Sequence, residues 1–178
     1  MTETEIKIRI RDVKAIREKL LARGAVLARD RILEDNVLYD FPSGALKSGR
    51  SALRLRKAGR RTTLTFKGSP QKSRSFKVRE EFETVVGNAG QLRRILKALG
   101  LQPALSYRKH RTHFRKGRLA VCLDETSVGA FLELEGERHE IVRFARALGF
   151  DRADFIQTDY VELLELEKEK AAEKAGKE

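Results

Sequence analysis

The chain has 178 residues, 40% of them apolar and 36% charged, with a net charge of +12. That is too apolar for a disordered polymer and too charged for a membrane protein, and no run approaches the roughly 18 apolar residues that a spanning helix needs. One cysteine, Cys122, excludes an internal disulfide framework, and Met-Thr-Glu-Thr-Glu at the start has neither the basic opening nor the apolar stretch of a secretory leader, so one globular domain in a reducing cytoplasm is expected.

Glu3 to Ile10 alternates strictly, with Glu3, Glu5, Lys7 and Arg9 against Thr4, Ile6, Ile8 and Ile10, which predicts a strand with one charged and one apolar face. Asp12 is placed to cap a helix carrying Val13, Ile16 and Leu20, and Gly24 to end it. A second strand is predicted from about Val26 to Tyr39, followed by a turn at Phe41-Pro42-Ser43-Gly44. Ser51–Lys57 and Arg60–Lys67 alternate again, and Gly59 between them predicts a hairpin. After a break at Gly68-Ser69-Pro70-Gln71, Ser75–Val86 sets Phe76, Val78 and Phe82 against Lys77, Arg79, Glu81 and Glu83.

Asn88 opens a helix with Leu92, Ile95, Leu96 and Leu99, and Gly100 closes it. Strands are predicted at about Ser106–Arg115, Arg118–Asp124 and Phe131–Glu135, then a helix from Glu137 to Leu148 with Ile141, Phe144, Ala145 and Leu148 on one face. A last helix, from about Asp159, carries Val161, Leu164 and Leu166 before a charged tail over 166–178 that is expected to fray and to do no chemistry. About eight strands with short links and three or four amphipathic helices make an α+β domain built on an antiparallel sheet, over residues 1–165.

The charge is concentrated. Between Ser43 and Glu80 lie twelve Lys and Arg against one acid, Glu80, a field that favours an anionic partner. A wet, charged sheet face is the plain alternative. Against it stand three carboxylate pairs, Glu3/Glu5, Glu81/Glu83 and Glu133/Glu135, each on one face of a strand. Oxygens roughly 7 Å apart along a strand suit Mg²⁺ or Mn²⁺ with water and phosphate completing the shell. Basic pairs, Arg54/Arg56 and Lys109/Arg111, match them on other strands. If the sheet curls shut, its apolar side faces outward beneath the helices and the charged side lines a solvent-filled interior.

Glu3-Thr4-Glu5-Ile6-Lys7 resembles the Glu-x-Glu-x-Lys signature of the CYTH domain, the triphosphate tunnel metalloenzymes. It stands with Ala52-Leu53-Arg54-Leu55-Arg56, Leu64-Thr65-Phe66-Lys67-Gly68, Arg79-Glu80-Glu81-Phe82-Glu83, Lys109-His110-Arg111, Leu123-Asp124-Glu125 and Gly129 to Gly136, in the family's order. The resemblance implies a closed eight-stranded antiparallel tunnel with helices packed outside. In it Lys7, Arg54, Arg56, Lys67, Lys109 and Arg111 would bind a triphosphate, with Arg79 in support. Glu3, Glu5, Asp124, Glu133 and Glu135 would hold one or two divalent ions, Glu81 and Glu83 would point into the same tunnel, and the chemistry would centre on Glu3, Glu5 and Lys67. Two places depart from the family pattern. Asn36-Val37-Leu38-Tyr39-Asp40 lacks an acid and an aromatic, and Gln157-Thr158-Asp159-Tyr160 lacks a lysine that some members place there.

His110, His113 and His139 fit no zinc spacing, although His113 shares a face with Lys109 and Arg111, and Cys122 reads as a packed thiol. Three functions follow. The first is hydrolysis of inorganic triphosphate or a nucleoside or organic triphosphate, which the absence of Trp and the three Tyr tilt toward the inorganic substrate. The second is cyclisation of ATP to cyclic AMP and pyrophosphate, as in class IV adenylate cyclases. The third is a non-catalytic module that grips RNA or polyphosphate, which the carboxylate pairs disfavour because they repel phosphate unless metal lies between. A small-molecule triphosphate is thus the expected partner, without membrane or nucleic acid, and a homodimer is compatible with the chain.

Overall fold

In the computed structural model, which describes residues 2–73, 75–158 and 160–164, the alternating segments join one antiparallel sheet. Its strands are β1 (Thr2–Ile10), β2 (Val26–Asp40), β3 (Ala52–Ala58), β4 (Arg61–Lys67), β5 (Lys77–Val85), β6 (Gln102–Lys116), β7 (Leu119–Thr126) and β8 (Gly129–Glu135). They run β5-β4-β3-β2-β6-β7-β8-β1, and pairing of β1 with β5 closes the ring. Strand β1 is the seam. One edge pairs Glu5–Ile10 with Glu135–Ala130 of β8, while Thr2–Glu5 pair with Glu80–Lys77 of β5. A two-residue strand, β9 (Phe155–Ile156), then takes up the remaining length beside Lys7 and Ile8. Closure leaves none of the eight long strands as an edge along its whole length, though residues 81–85 of β5 and 26–33 of β2 pair on one side only.

The apolar faces point out, and helices cover them. Helix α1 (Val13–Ala22) starts where the Asp12 carboxylate accepts the Ala15 N–H, and brings down Ile16 and Leu20. Helix α4 (Arg138–Leu148) adds Ile141, Phe144 and Leu148. Together they pack on Ile6, Ile8 and Ile10 of β1, Val121 and Leu123 of β7, and Leu132 and Leu134 of β8. Across the barrel, α3 (Ala89–Ala98), capped by Asn88, lays Leu92 and Leu96 on a smaller core with Tyr39 and Leu55. Ile95 of α3, Leu99 at its C-cap, and Phe82 and Val85 of β5 remain exposed, because α3 covers the sheet at β2–β4 and turns only part of its apolar stripe down.

Several elements differ from expectation. The fifth strand starts at Lys77 rather than Ser75, and the sixth at Gln102 rather than Ser106. A short helix, α2 (Ala45–Ser48), follows the turn after β2, because the Asp40 carboxylate accepts the N–H groups of Phe41, Leu46 and Lys47 and so winds the chain around itself. Strand β9 is too short for an alternating pattern to reveal it. Residues 160–164 are helical as expected, while Arg74, Asp159, Leu166 and the tail 166–178 lie outside the described residues. No helix among the described residues is long and apolar enough to cross a membrane.

The wall depends on its outer cores, so truncating Leu134, which is fully buried, to Ala should cost about 2–5 kcal/mol. Urea unfolding followed by circular dichroism measures it; a cost under about 1 kcal/mol would mean that the helices do not seal this face.

Candidate active site in the tunnel

Side chains alternate along a strand, so closing the sheet with its apolar face outward sends the charged face of every strand inward. The result is a cavity of about 320 Å³. Strand β1 contributes Glu3, Glu5 and Lys7; β3 Arg54 and Arg56; β4 Lys67; β5 Lys77, Arg79, Glu81 and Glu83; β6 Lys109 and Arg111; β8 Glu133 and Glu135. All but one of the residues singled out from the sequence thus meet on one surface. The exception, Asp124 on β7, lies behind that surface, fully buried.

Asp124 is the centre of a saturated knot. It accepts from Lys109 Nζ at 2.8 Å, from Arg111 Nε at 2.6 Å and from the Tyr160 hydroxyl at 2.6 Å. Arg111 also binds Glu133, which Lys7 Nζ reaches at 3.2 Å. Burial alone would drive both carboxyls toward the neutral form. Arg111 and Lys109 overcome it, holding Asp124 below the usual carboxylate range and Glu133 well below it. Lys7 in turn is held above its ordinary value, against burial, chiefly by Glu133. The ammonium groups of Lys7 and Lys109 each stand 4.4 Å from the centre of the Tyr160 ring, which closes this part of the tunnel.

A second cluster is short of positive charge. Lys67 Nζ bonds Glu81 and lies 3.5 Å from Glu3, while Lys77 reaches Glu5 at 3.6 Å. Burial and the facing Glu3 push Glu81 up to about 7. Against burial, the hydrogen bond from Glu81 and the charge of Lys67 bring Glu3 down to about 2, so the pair shares one proton. Withdrawal from water and the nearness of Glu3 and Glu5 push Glu135 up to about 8, a shift that solvent screening weakens because Glu135 is exposed at the rim.

These shifts set the pH response of the metal-free protein. Native Glu81 keeps its proton to about pH 7 while the unfolded chain loses it near 4.5, so stability declines as pH rises through that window. Glu3 acts in the opposite sense: its contribution is present above 4.5 and is lost as pH falls toward 2.

The donor set suits a hard divalent cation. Among the described residues no three carboxylate, imidazole or thiol side chains form a ready-made metal cage. Mg²⁺, however, is commonly held by one or two carboxylates with water and substrate phosphates completing the shell. Carboxylates that must retain protons because they face one another are groups that such a cation would relieve.

The third cluster grips from the opposite wall. Arg56 donates to Asn36 Oδ1 at 2.9 Å and to Glu34 at 3.1 Å, and Arg54 donates to the Thr65 hydroxyl at 3.3 Å, which itself donates to Glu83 at 2.8 Å. Asn36, one of the departures from the family pattern, therefore positions Arg56 as a neutral acceptor. Two buried polar atoms here, Arg54 Nε and Glu34 Oε2, make no hydrogen bond. Leu38, the other departure, lines the passage from the tunnel into an apolar annex of about 400 Å³, with Leu46, Pro70, Leu105 and Val161 among its walls. Arg50 also lines the annex, held at φ 54°, a left-handed conformation uncommon outside glycine.

Glu34, Thr65, Tyr107 and Tyr160 belong to the site without having been marked by the sequence. Glu34 continues the inward alternation of Asn36 and Leu38, a signal blurred because its neighbour Asp35, which pairs with Arg108, is also acidic. Tyr107 and Tyr160 carry no charge pattern at all. His113 faces Cys122 Sγ at 3.5 Å, and burial together with Arg111 pushes it down to about 4, so it is neutral near pH 7. Burial pushes the Cys122 thiol up to about 12, which makes it an inert packing group. His110 and His139 do not line the cavity.

Residues 1–149 match the family model for the CYTH domain. A Methanocaldococcus jannaschii protein provisionally named an adenylate cyclase is 28% identical over 174 residues, spanning 92% of this chain and 98% of its own. A solved structure from Vibrio parahaemolyticus, also provisionally an adenylate cyclase, superposes with a TM-score of 0.83 at 21% identity, covering 93% of this chain and 98% of that one. A Hippeastrum protein provisionally named an adenylyl cyclase, and reported to have a dominant triphosphatase activity, superposes with a TM-score of 0.61 at 23% identity over 83% and 88% of the two chains. The two superpositions establish the tunnel fold.

Binding of Mg²⁺ or Mn²⁺ below about pH 7 is expected to release protons, since Glu81 must shed its own to serve as a ligand. Titration calorimetry in two buffers of different ionisation enthalpy counts them. No release, or a release unchanged in Glu81→Gln, would put the cation somewhere else.

Proposed function

The chain belongs to the CYTH domain family, and on that footing we propose that it is a divalent-metal-dependent hydrolase of a triphosphate held in the tunnel. One observation carries this reading: a cavity of about 320 Å³ in which cations outnumber carboxylates, with Arg54 Nε buried and unsatisfied at its wall. A polyphosphate chain would supply the acceptors that this wall is short of.

Arg54 and Arg56 are suited to grip phosphate oxygens by their planar forks. Lys7 and Lys109 add point charges, and Lys67, with Arg79, faces the carboxylate cluster from β4 and β5. Glu3, Glu5, Glu81 and Glu135 are the groups that would hold Mg²⁺ or Mn²⁺, with Glu83 and Glu133 at hand; such an ion offsets phosphate charge and lowers the pKa of bound water. Asp124 orients Lys109 and Arg111 from behind. In the overall reaction a water oxygen bonds the terminal phosphorus, the bridging P–O bond breaks, and the diphosphate or organic diphosphate leaves as the lining guanidinium and ammonium groups stabilise its developing charge.

The annex supports an organic triphosphate over the inorganic one, because Leu38, Leu46, Leu105 and Val161 would shelter a heterocycle while Lys47, Arg50 and Arg79 in the same wall suit its polar groups. It also supports a second reading, cyclisation, in which the substrate's own 3′-hydroxyl attacks the α-phosphorus and diphosphate leaves. The third reading, an RNA- or polyphosphate-binding module, is weakened because Arg54, Arg56, Lys67, Lys77 and Arg79 of the basic stretch face inward rather than forming one outer surface.

Purified protein with Mg²⁺ or Mn²⁺ should convert ATP to ADP and orthophosphate, and tripolyphosphate to diphosphate and orthophosphate, as read by ion-exchange chromatography. Cyclic AMP and diphosphate from ATP would select the cyclase. Arg54→Ala should lower kcat/KM about 10²–10³-fold, and turnover retained in both Glu3→Ala and Glu5→Ala would sink the metal assignment.

A further inference from the structure

A second cavity adjoins the tunnel, and its chemistry differs from that of the annex. The annex is built at the end of β2 and the start of β3, by Leu38, Asp40 and Ala52. The second cavity, of about 350 Å³, is built at the opposite ends of the same strands, by Arg29 near the start of β2 and Arg56 and Ala58 near the end of β3. Arg61, at the start of β4, and Arg115, near the end of β6, complete its rim. It shares Arg56 and Glu83 with the tunnel lining, so the two spaces adjoin.

Inside the tunnel the cations are matched: Lys7 with Glu133, Arg56 with Glu34, Lys109 and Arg111 with Asp124. At this mouth they are not. Arg29, Arg61 and Arg115 are exposed and form no ion pair with a carboxylate of any described residue. Tight hairpins keep two of them at the rim. Gly59, at φ 59°, turns β3 into β4 just before Arg61, and Gly117, at φ 58°, turns β6 into β7 just after Arg115. A side chain on Gly59 would come within 3.2 Å of Ile32 Cδ1, so the turn has little room to lengthen the rim. Two carboxylates, Glu34 and Glu83, line the same cavity but lie against Arg56 and Arg54, so the three rim cations remain in excess and raise the local concentration of anions.

We propose that this mouth is a release site for inorganic phosphate, in which Arg29, Arg61 and Arg115 bind the orthophosphate or diphosphate formed in the tunnel and pass it to solvent. The inference rests on the reading that the tunnel processes a triphosphate, but not on which reaction it runs. Hydrolysis of the terminal phosphate and cyclisation both free an inorganic anion from the end of the chain remote from the organic group. With that group seated in the annex, the anion leaves forward through the second mouth without waiting for the organic product to withdraw.

The test compares wild type with the Arg61→Ala/Arg115→Ala double variant, in which both truncated side chains are exposed and hold no ion pair that folding needs. Titration with inorganic diphosphate should show two classes of site in wild type. The variant should lose the weaker, salt-sensitive class and keep the affinity of the other within about twofold. In turnover of ATP, kcat should fall several-fold while KM stays put, and Arg→Lys at both positions should restore most of it. Identical isotherms for the two proteins would overturn the release site, as would a rise in KM at unchanged kcat, since that places substrate access at this mouth. If wild type turns over neither ATP nor tripolyphosphate yet the variant still loses the weaker class, the anion site stands and the catalytic reading falls.

Discussion

A carboxylate with no exposure to water cannot stay ionised unless cations reach it, and Asp124 is such a group. Removing an ion from water costs several kcal/mol even after relaxation, and only excellent geometry with filled hydrogen-bonding positions offsets that cost. Here the compensation comes from Lys109 and Arg111 on β6 and from Tyr160 beyond β9. Arg111 passes the network to Glu133 on β8, and Glu133 to Lys7 on β1. Four strands and the C-terminal helical turn are thereby held in one relative position by charge, on the inner side of a wall whose outer side is held by apolar packing.

Neutralisation is uneven along the interior. Around Asp124 every charge is answered. Around Glu3, Glu81 and Glu135 anions crowd together, and the excess is taken up by protons. Toward the far mouth the excess is positive. A ligand with alternating demands, phosphate oxygens bridged to a divalent cation, complements this sequence better than a uniformly charged one would. An anion alone would be repelled by the acidic zone and a cation alone by the far mouth.

Much of this was legible in the residue order because a barrel reads its strands with period two. Glu3, Glu5 and Lys7 had to share a face, and Ile6, Ile8 and Ile10 the other, whatever the barrel enclosed. Depth was less legible. Asp124 and Glu133 share a face and the same chemistry on paper, yet one is fully buried behind the wall and the other lines it. Tyr160 and Glu34 escaped notice for different reasons. An uncharged plug leaves no trace in a charge pattern, and two adjacent acids, Glu34 and Asp35, do not tell by charge which of them faces inward. The annex was concealed most thoroughly, since Leu38, Leu46 and Leu105 would ordinarily be assigned to a core, and α2, which brings Leu46 into place, formed where only a turn was signalled.

The two apolar cores lie on the outside of the barrel, one under α1 and α4 and one under α3, and neither includes an inward-facing charged residue. The apolar packing outside the barrel and the charge network inside it are therefore carried largely by different side chains of the same strands. A change at an inner position outside the Asp124 network, such as Asn36, would leave the packing that keeps the barrel closed in place. Descent can alter the chemistry of such a tunnel residue by residue while inheriting its architecture whole.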